Sequence, residues 1–150
     1  MPLQDFGSIL NFAEELERLD QRFYEAALTN PACSAHTPLF SVLAAEAGKS
    51  VKTVQRLRRE NVTEMILEPV QDFTRASFCE GCAEAAVLTV AEVLKAAQRL
   101  EARAERYYIE AAGKTQALSK VSRALRTLAK IRKTHAAKIS AVCHSTEYQK

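Results

Sequence analysis

Apolar residues return every three or four positions along four stretches of the chain, and each stretch ends on recognisable helix punctuation. In the first, Ile9, Leu10, Ala13, Leu16, Leu19, Phe23 and Ala27 recur with the spacing of one buried helical face. Asp5 supplies an N-cap and Asn30-Pro31 a stop, so the pattern predicts a helix from about Phe6 to Thr29. The second stretch opens at Thr37-Pro38, a cap followed by proline at the first helical position. It runs through Leu39, Val42, Leu43, Ala47, Val51, Val54 and Leu57 to about Glu60. The third opens on the capping box Thr89-Val90-Ala91-Glu92 and ends at Gly113. The fourth starts between Thr115 and Ser119 and reaches about Ser145. Between the second and third lies Asn61 to Leu88, with Pro69 and the phrase "FCEGC"; it reads as a long crossover.

The pattern is written twice. "LERLDQRFYEAA" from Leu16 and "LEARAERYYIEAA" from Leu100 share their order of Leu-Glu, Arg, aromatic and Tyr. At an offset of 84, Asp5 meets Thr89, Ile9 meets Val93, Leu10 meets Leu94, Ala13 meets Ala97, Glu17 meets Glu101 and Tyr24 meets Tyr108. At an offset of 85, Leu43-Ala44 meets Leu128-Ala129 and Val54 meets Ile139. The chain is therefore two weakly similar helical hairpins joined by a long crossover. That is the connectivity of an all-α, ferritin-like four-helix bundle rather than of a simple up-down bundle.

Composition agrees. A chain of 150 residues, 47% apolar, is expected to form one domain over residues 1–150 with a real core. Four Gly and four Pro are too few for a β-sandwich. No apolar run reaches membrane-spanning length, and "MPLQDFGSIL" has neither a basic n-region nor an h-region; the expectation is a cytoplasmic protein with reduced thiols and no membrane partner. A net charge of +3 does not by itself imply nucleic acid. The charge is uneven, however. No acidic residue falls between Glu110 and Glu147, whereas the first helix holds Asp5, Glu14, Glu15, Glu17, Asp20 and Glu25. Acidic and basic helices lying side by side account for this. The basic residues of the fourth helix spread around several of its faces, which disfavours a nucleic-acid stripe. Such a binder would show salt-sensitive affinity for unrelated DNA sequences.

These residues resemble the rubrerythrin branch of the ferritin-like superfamily, over nearly the whole chain. In that family the first and third helices each give one Glu, followed seven residues later by an aromatic residue. The second and fourth each give Glu-x-x-His, and the six side chains hold two irons. The resemblance implies that Glu17 and Glu101 stand at ligand positions. The other two helices depart from the pattern. "LAAEAGKS" puts Ala47 and Ser50 at the Glu and His positions of the second helix, and "LAKIRKTH" puts Arg132 and His135 at those of the fourth. A methyl and a hydroxyl do not replace a carboxylate and an imidazole, and an arginine brings a permanent cation to a metal position. Glu46 lies about 100° around the helix from Ala47 and does not restore the motif. The resemblance thus implies a degenerate di-iron site, no cofactor at the centre, and an Arg132 pairing with Glu17 and Glu101 in place of the metals. The role would then be binding or structural rather than catalytic. The alternative is a metal-dependent oxidoreductase of the rubrerythrin type, with a single Fe or Zn on Glu17, Glu101 and His135.

Two smaller features complete the reading. Tyr24 and Tyr108 follow their Glu by two turns on the same face, as interior tyrosines whose hydroxyls need partners. Cys33, His36, Cys79, Cys82, Cys143 and His144 fall near helix ends that the topology gathers at one end of the bundle, where free thiols, disulfides or a Zn site all remain open. Gly48 suggests close packing beside Ala47. A homodimer, burying a helix pair between subunits, is an expectation from the fold alone.

Overall fold

A computed structural model describes residues 6–65 and 89–148, with side chains described for 8–60 and 89–143. Its long elements are α1 (Phe6–Thr29), α2 (Thr37–Met65), α3 (Val90–Lys114) and α4 (Ser119–Tyr148). Each is long and amphipathic, and each buries one stripe against the other three. The stripes of α1 and α3 have the same register. Residues 9, 13, 16, 20, 23 and 27 are buried in the first, and 93, 97, 100, 104, 107 and 111 in the second. The offset of 84 read from the sequence is therefore an offset between packing faces.

The buried apolar side chains separate into two clusters. One joins Ile9, Leu10, Phe12, Ala13 and Leu16 to Val54 and Leu57, to Tyr107, Tyr108 and Ala111, and to Val121, Leu125 and Leu128. The other joins Phe23, Tyr24 and Ala27 to Phe40 and Leu43, to Val93, Leu94 and Ala97, and to Ile139. Each cluster takes the early half of one helix and the late half of its hairpin partner. So α1 is antiparallel to α2 and to α3, and α4 is antiparallel to α3. The tight pairs are α1 with α2 and α3 with α4; α2 also packs beside α4, and α1 beside α3. The chain must return from the end of α2 to the opposite end of the bundle to begin α3, as a long crossover requires. The crossover, including Cys79 and Cys82, lies outside the described residues, as does the Asp5 cap.

Several local expectations need correction. Thr37 is not a cap: its backbone is already helical (φ −50°, ψ −45°), and its hydroxyl donates to the Ser34 carbonyl at 3.0 Å. A short 3-10 helix, Pro31–His36, leads directly into α2. Its N-cap is Asn30, whose side chain accepts from the Ala32 amide at 2.9 Å, with Pro31 occupying the first turn where no donor is needed. The Asn-Pro pair that stops α1 thus starts the next element. Helix α2 runs to Met65 and α4 to Tyr148, past the predicted ends; no proline or glycine stops them there. Helix α3 ends one residue later than Gly113 suggested, at Lys114, where the Thr115 hydroxyl bonds the Ala111 carbonyl at 2.8 Å. Gly48 faces α1, where an added Cβ would come within 3.2 Å of the Gln21 amide.

The Thr89 capping box is present as read. Its hydroxyl accepts from the Glu92 amide at 3.2 Å, and the Glu92 carboxylate accepts from the Thr89 amide at 3.1 Å. Thr89→Ala should therefore cost about 1 kcal/mol, measured by urea unfolding, with Thr89→Ser restoring most of the loss.

Candidate functional site

Between the two apolar clusters lies a layer of buried charge. Glu17, Asp20, Glu101, Arg103, Arg132 and His135 are all at most 4% exposed, and Ala47 and Ser50 of α2 are buried as well. Each residue stands on its helix's apolar stripe, so helix formation itself carries the charges inward. Only mutual pairing can offset the solvation they lose.

Arg132 organises the layer from α4. Its Nη2 lies 2.7 Å from Glu17 Oε2 and 2.9 Å from Asp20 Oδ2; its Nη1 lies 3.0 Å from Glu101 Oε2. Its Nε also donates to Glu17 Oε1 at 3.3 Å, so the planar fork meets Glu17 with two parallel bonds. Arg103 reaches Asp20 Oδ1 at 2.7 Å from the other side. The sequence placed Arg132 against Glu17 and Glu101, and its fork does bridge them. It did not anticipate Asp20 or Arg103. The signal was available: Asp20 is three residues after Glu17 and sits in the 9-13-16-20-23-27 register. Leu19, assigned to that register instead, is 46% exposed. The buried slot goes to the carboxylate because two guanidinium groups need it there.

The tyrosines close the layer by crossing between hairpins. Tyr24 of α1 donates to Glu101 Oε1 of α3 at 2.5 Å, and Tyr108 of α3 donates to Glu17 Oε1 of α1 at 2.5 Å. The duplicated phrase thus builds a reciprocal pair, each Tyr serving the other hairpin's Glu. Tyr107, next to Tyr108, donates instead to the Ile9 carbonyl. Against this twofold likeness the α2 and α4 contributions are unequal. From α4 come Arg132 and His135, whereas the buried Ala47 and Ser50 of α2 bring neither a charge nor an imidazole. His135 Nδ1 lies 3.5 Å from Glu101 Oε2, and Arg103 Nε has no hydrogen-bond partner among the described residues.

The electrostatics follow from burial and pairing. Burial acts to raise the Glu101 carboxyl, but the charge of Arg132, the contact with His135 and the Tyr24 hydroxyl together hold it below its usual range. Asp20 goes the other way. Burial pushes it up to about 6, more than Arg132 and Arg103 can offset, with Glu17 and Glu101 adding repulsion. Tyr24 and Tyr108 are held well above their usual range by burial and then by the carboxylate each one faces. The Arg132 guanidinium is held charged by its three carboxylates despite its burial.

Among the described residues, no group of three or more His, Cys, Asp or Glu is arranged to hold a metal ion. At the cysteine end, Cys33 is buried and Cys143 packs against the same apolar cluster. Burial raises the Cys33 thiol above its usual range. His36 is half-buried close by in sequence. Cys79 and Cys82 lie outside the described residues, as does the His144 side chain.

Arg132→Leu would leave Glu17, Asp20 and Glu101 buried with Arg103 as their remaining guanidinium, and should cost about 3–5 kcal/mol at neutral pH by urea unfolding. Arg132→Lys should recover little, because one ammonium cannot supply the bidentate bond and reach Glu101 as well. The layer also fixes a pH dependence. The folded state holds the Asp20 proton more tightly than the unfolded chain, so the Asp20 contribution to stability declines as pH rises from about 4 to about 6. Glu101 acts with opposite sign: its contribution is present above the ordinary carboxylate range and is lost as pH falls through its depressed folded value. Asp20→Asn should therefore remove the decline between about pH 4 and pH 6 while leaving the acid-side loss, as read from unfolding midpoints across that range. At the alkaline end, Tyr24, Tyr107 and Tyr108, three of the four tyrosines, should ionise only with unfolding, seen as tyrosinate absorbance rising together with loss of helix.

Comparison with known proteins rests on one finding. A family profile described as a ferritin-like domain matches residues 5–146. No curated protein and no solved structure matches the chain. The matched span covers α1, α2, α3 and all but the last two residues of α4, with the crossover between the hairpins and the Glu17 and Glu101 positions on facing stripes. The chain belongs to the ferritin-like domain family.

Proposed function

We propose that this is a ferritin-like protein of the rubrerythrin type whose di-iron centre has been lost, and whose interior is held together by Arg132 where metals would otherwise neutralise the carboxylates. Its role on this reading is binding or structural, not catalytic. One observation carries the proposal: a single guanidinium lies within 3.0 Å of carboxylate oxygens on Glu17, Asp20 and Glu101.

The chemistry of the donor set supports it. A first-row metal at the centre of this layer would need the oxygens that Arg132 already takes, Glu17 Oε2 and Glu101 Oε2 among them. The remaining oxygens, Oε1 of both residues, accept from Tyr108 and Tyr24. On α2 the buried Ala47 and Ser50 offer a methyl and a hydroxyl, not a carboxylate and an imidazole. A cation cannot share this space with a permanently charged arginine, so the residues present do not fit a pair of metals. The rubrerythrin-type oxidoreductase reading, with one Fe or Zn on Glu17, Glu101 and His135, would have to displace Arg132 into an apolar interior.

Metal analysis of protein purified without an affinity tag separates the two readings. The expected result is no iron or zinc held by Glu17, Glu101 and His135, and no metal released by Glu17→Gln. Stoichiometric metal that is lost with Glu101→Gln would overturn the proposal. The converse experiment restores the ligands. Arg132→Glu with Ala47→Glu and Ser50→His supplies both missing carboxylates and the second imidazole, and should confer iron binding visible by absorbance, where the natural chain has none.

A further inference from the structure

Over its described residues the bundle is electrically two-sided, and the boundary runs between its hairpin partners. Outside the buried layer, α1 and α3 balance: Arg18, Arg22, Lys95, Arg99, Arg106 and Lys114 stand against six glutamates, over residues 8–29 and 89–114. Helices α2 and α4 do not. Over residues 37–60 and 119–143 they present eleven Lys or Arg against only Glu46 and Glu60. Arg58 leans toward α1, pairing with Glu14 at 3.0 Å. The other ten have no ion pair among the described residues. Along α4 alone, these cations look scattered. The bundle sets α4 beside α2, and the two helices together make one basic face.

The distribution on α4 has a shape. Ser122, which bonds the Ala112 carbonyl of α3, marks the flank toward α3. Arg126 and Lys133 follow it by four and eleven residues on that same flank, with Lys130 above them. Ala124, Thr127 and Ile131 mark the flank toward α2, because with Glu46, Lys49, Thr53 and Arg56 they line an open groove of about 380 Å³ between the helices, in which two cations outnumber the one carboxylate. Lys120 and Lys138 share that flank, and Arg123 lies near the crest. The result is a convex ridge about 27 Å long from Lys120 to Lys138, cationic on both flanks.

Such a ridge suits phosphates on two sides of it rather than in one plane. A flat anionic bilayer would reach the crest alone, and no exposed Leu, Ile, Phe or Trp stands on the described surface of α4 to enter an acyl layer. No exposed aromatic stands on the described α2 or α4 to stack an unpaired base. The opposite face, being neutral, offers a second copy no charge complement. We infer that the α2–α4 face binds the phosphate backbone of a nucleic-acid duplex, with α4 entering a groove and its flanking cations meeting the strands on either side, without reading sequence.

The test uses the full chain and a short random-sequence DNA duplex, followed by fluorescence anisotropy. With four or five phosphate contacts, affinity should fall about 10²–10³-fold between 50 and 200 mM salt. The triple variant R126E/K130E/K133E should lose at least about tenfold in affinity at fixed salt. The control R22E/K95E/R99E makes the same change in net charge on the α1–α3 face and should bind within about twofold of the natural chain. Helix content and melting temperature establish that each variant folds; if the glutamates prevent folding, R126Q/K130Q/K133Q should show the same ordering with a smaller loss. No binding at the lowest salt would overturn the inference. So would equal losses in both triples, which would reduce the effect to net charge, or binding to vesicles of phosphatidylserine and phosphatidylcholine as tight as to the duplex, which would assign the face to a membrane surface.

Discussion

The contact between the Arg132 fork and three carboxylates is the interaction on which the interior depends. Glu17, Asp20 and Glu101 lie on two antiparallel helices whose stripes must face each other to close the core. Without a cation between them, burying the stripes would bring like charges together in a medium that cannot screen them. With it, the hydrophobic burial of the two apolar clusters on either side can proceed. The stability of this layer is conditional in a specific sense. A buried ion network seldom exceeds an equally well-packed apolar layer in stability, but removing one partner of such a network leaves the others stranded. The layer is therefore costly to break without being a large source of net stability.

Arg132 also bears on what α2 can carry. Arginine is large, and its guanidinium reaches from α4 to both α1 and α3. On α2, Ala47 and Ser50 are both buried, and neither adds a charge to the interior. A glutamate and a histidine at these buried positions would add volume and, with Arg132 retained, a further charge. On the proposed reading, the two small residues of α2 and the arginine of α4 belong together, because none of the three is a metal ligand.

The fold was legible from the sequence because its signals are local and repeated. Stripe spacing, the Thr89 capping box and the offset of 84 all survive as structure. The Arg132 pairing was legible through the resemblance, which put Arg132 at a ligand position opposite Glu17 and Glu101. Asp20 and Arg103 were missed because periodicity alone cannot choose between adjacent residues. Leu19 and Asp20 fit the α1 pattern almost equally well, and hydrophobicity favours the wrong one. Only the presence of Arg103 and Arg132 across the bundle, a tertiary fact, decides that the carboxylate goes in. The Thr37 cap failed similarly: a Thr-Pro pair is a sound helix start, but Asn30-Pro31 had already started a helical path six residues earlier, and the chain never left it.

The two faces of the molecule are linked to the interior through α4. This helix has to carry Arg132 inward, and its buried stripe otherwise consists of Val121, Leu125, Leu128, Ala129 and Ile139. Nothing about that duty requires the outward positions to be basic. Helix propensity would accept glutamate there as readily as lysine, and alternating charge would gain from i,i+4 pairing. A helix exposing Lys120, Arg123, Arg126, Lys130, Lys133 and Lys138 with no acidic residue within four positions of any of them gives up those pairs and accepts mutual repulsion. Folding alone does not account for such an arrangement, nor does solubility, since the α1–α3 face meets the same solvent with balanced charge. On the inference drawn for this face, an anionic surface covering the ridge would relieve that repulsion, which is the physical reason to look for a partner on the α2–α4 side.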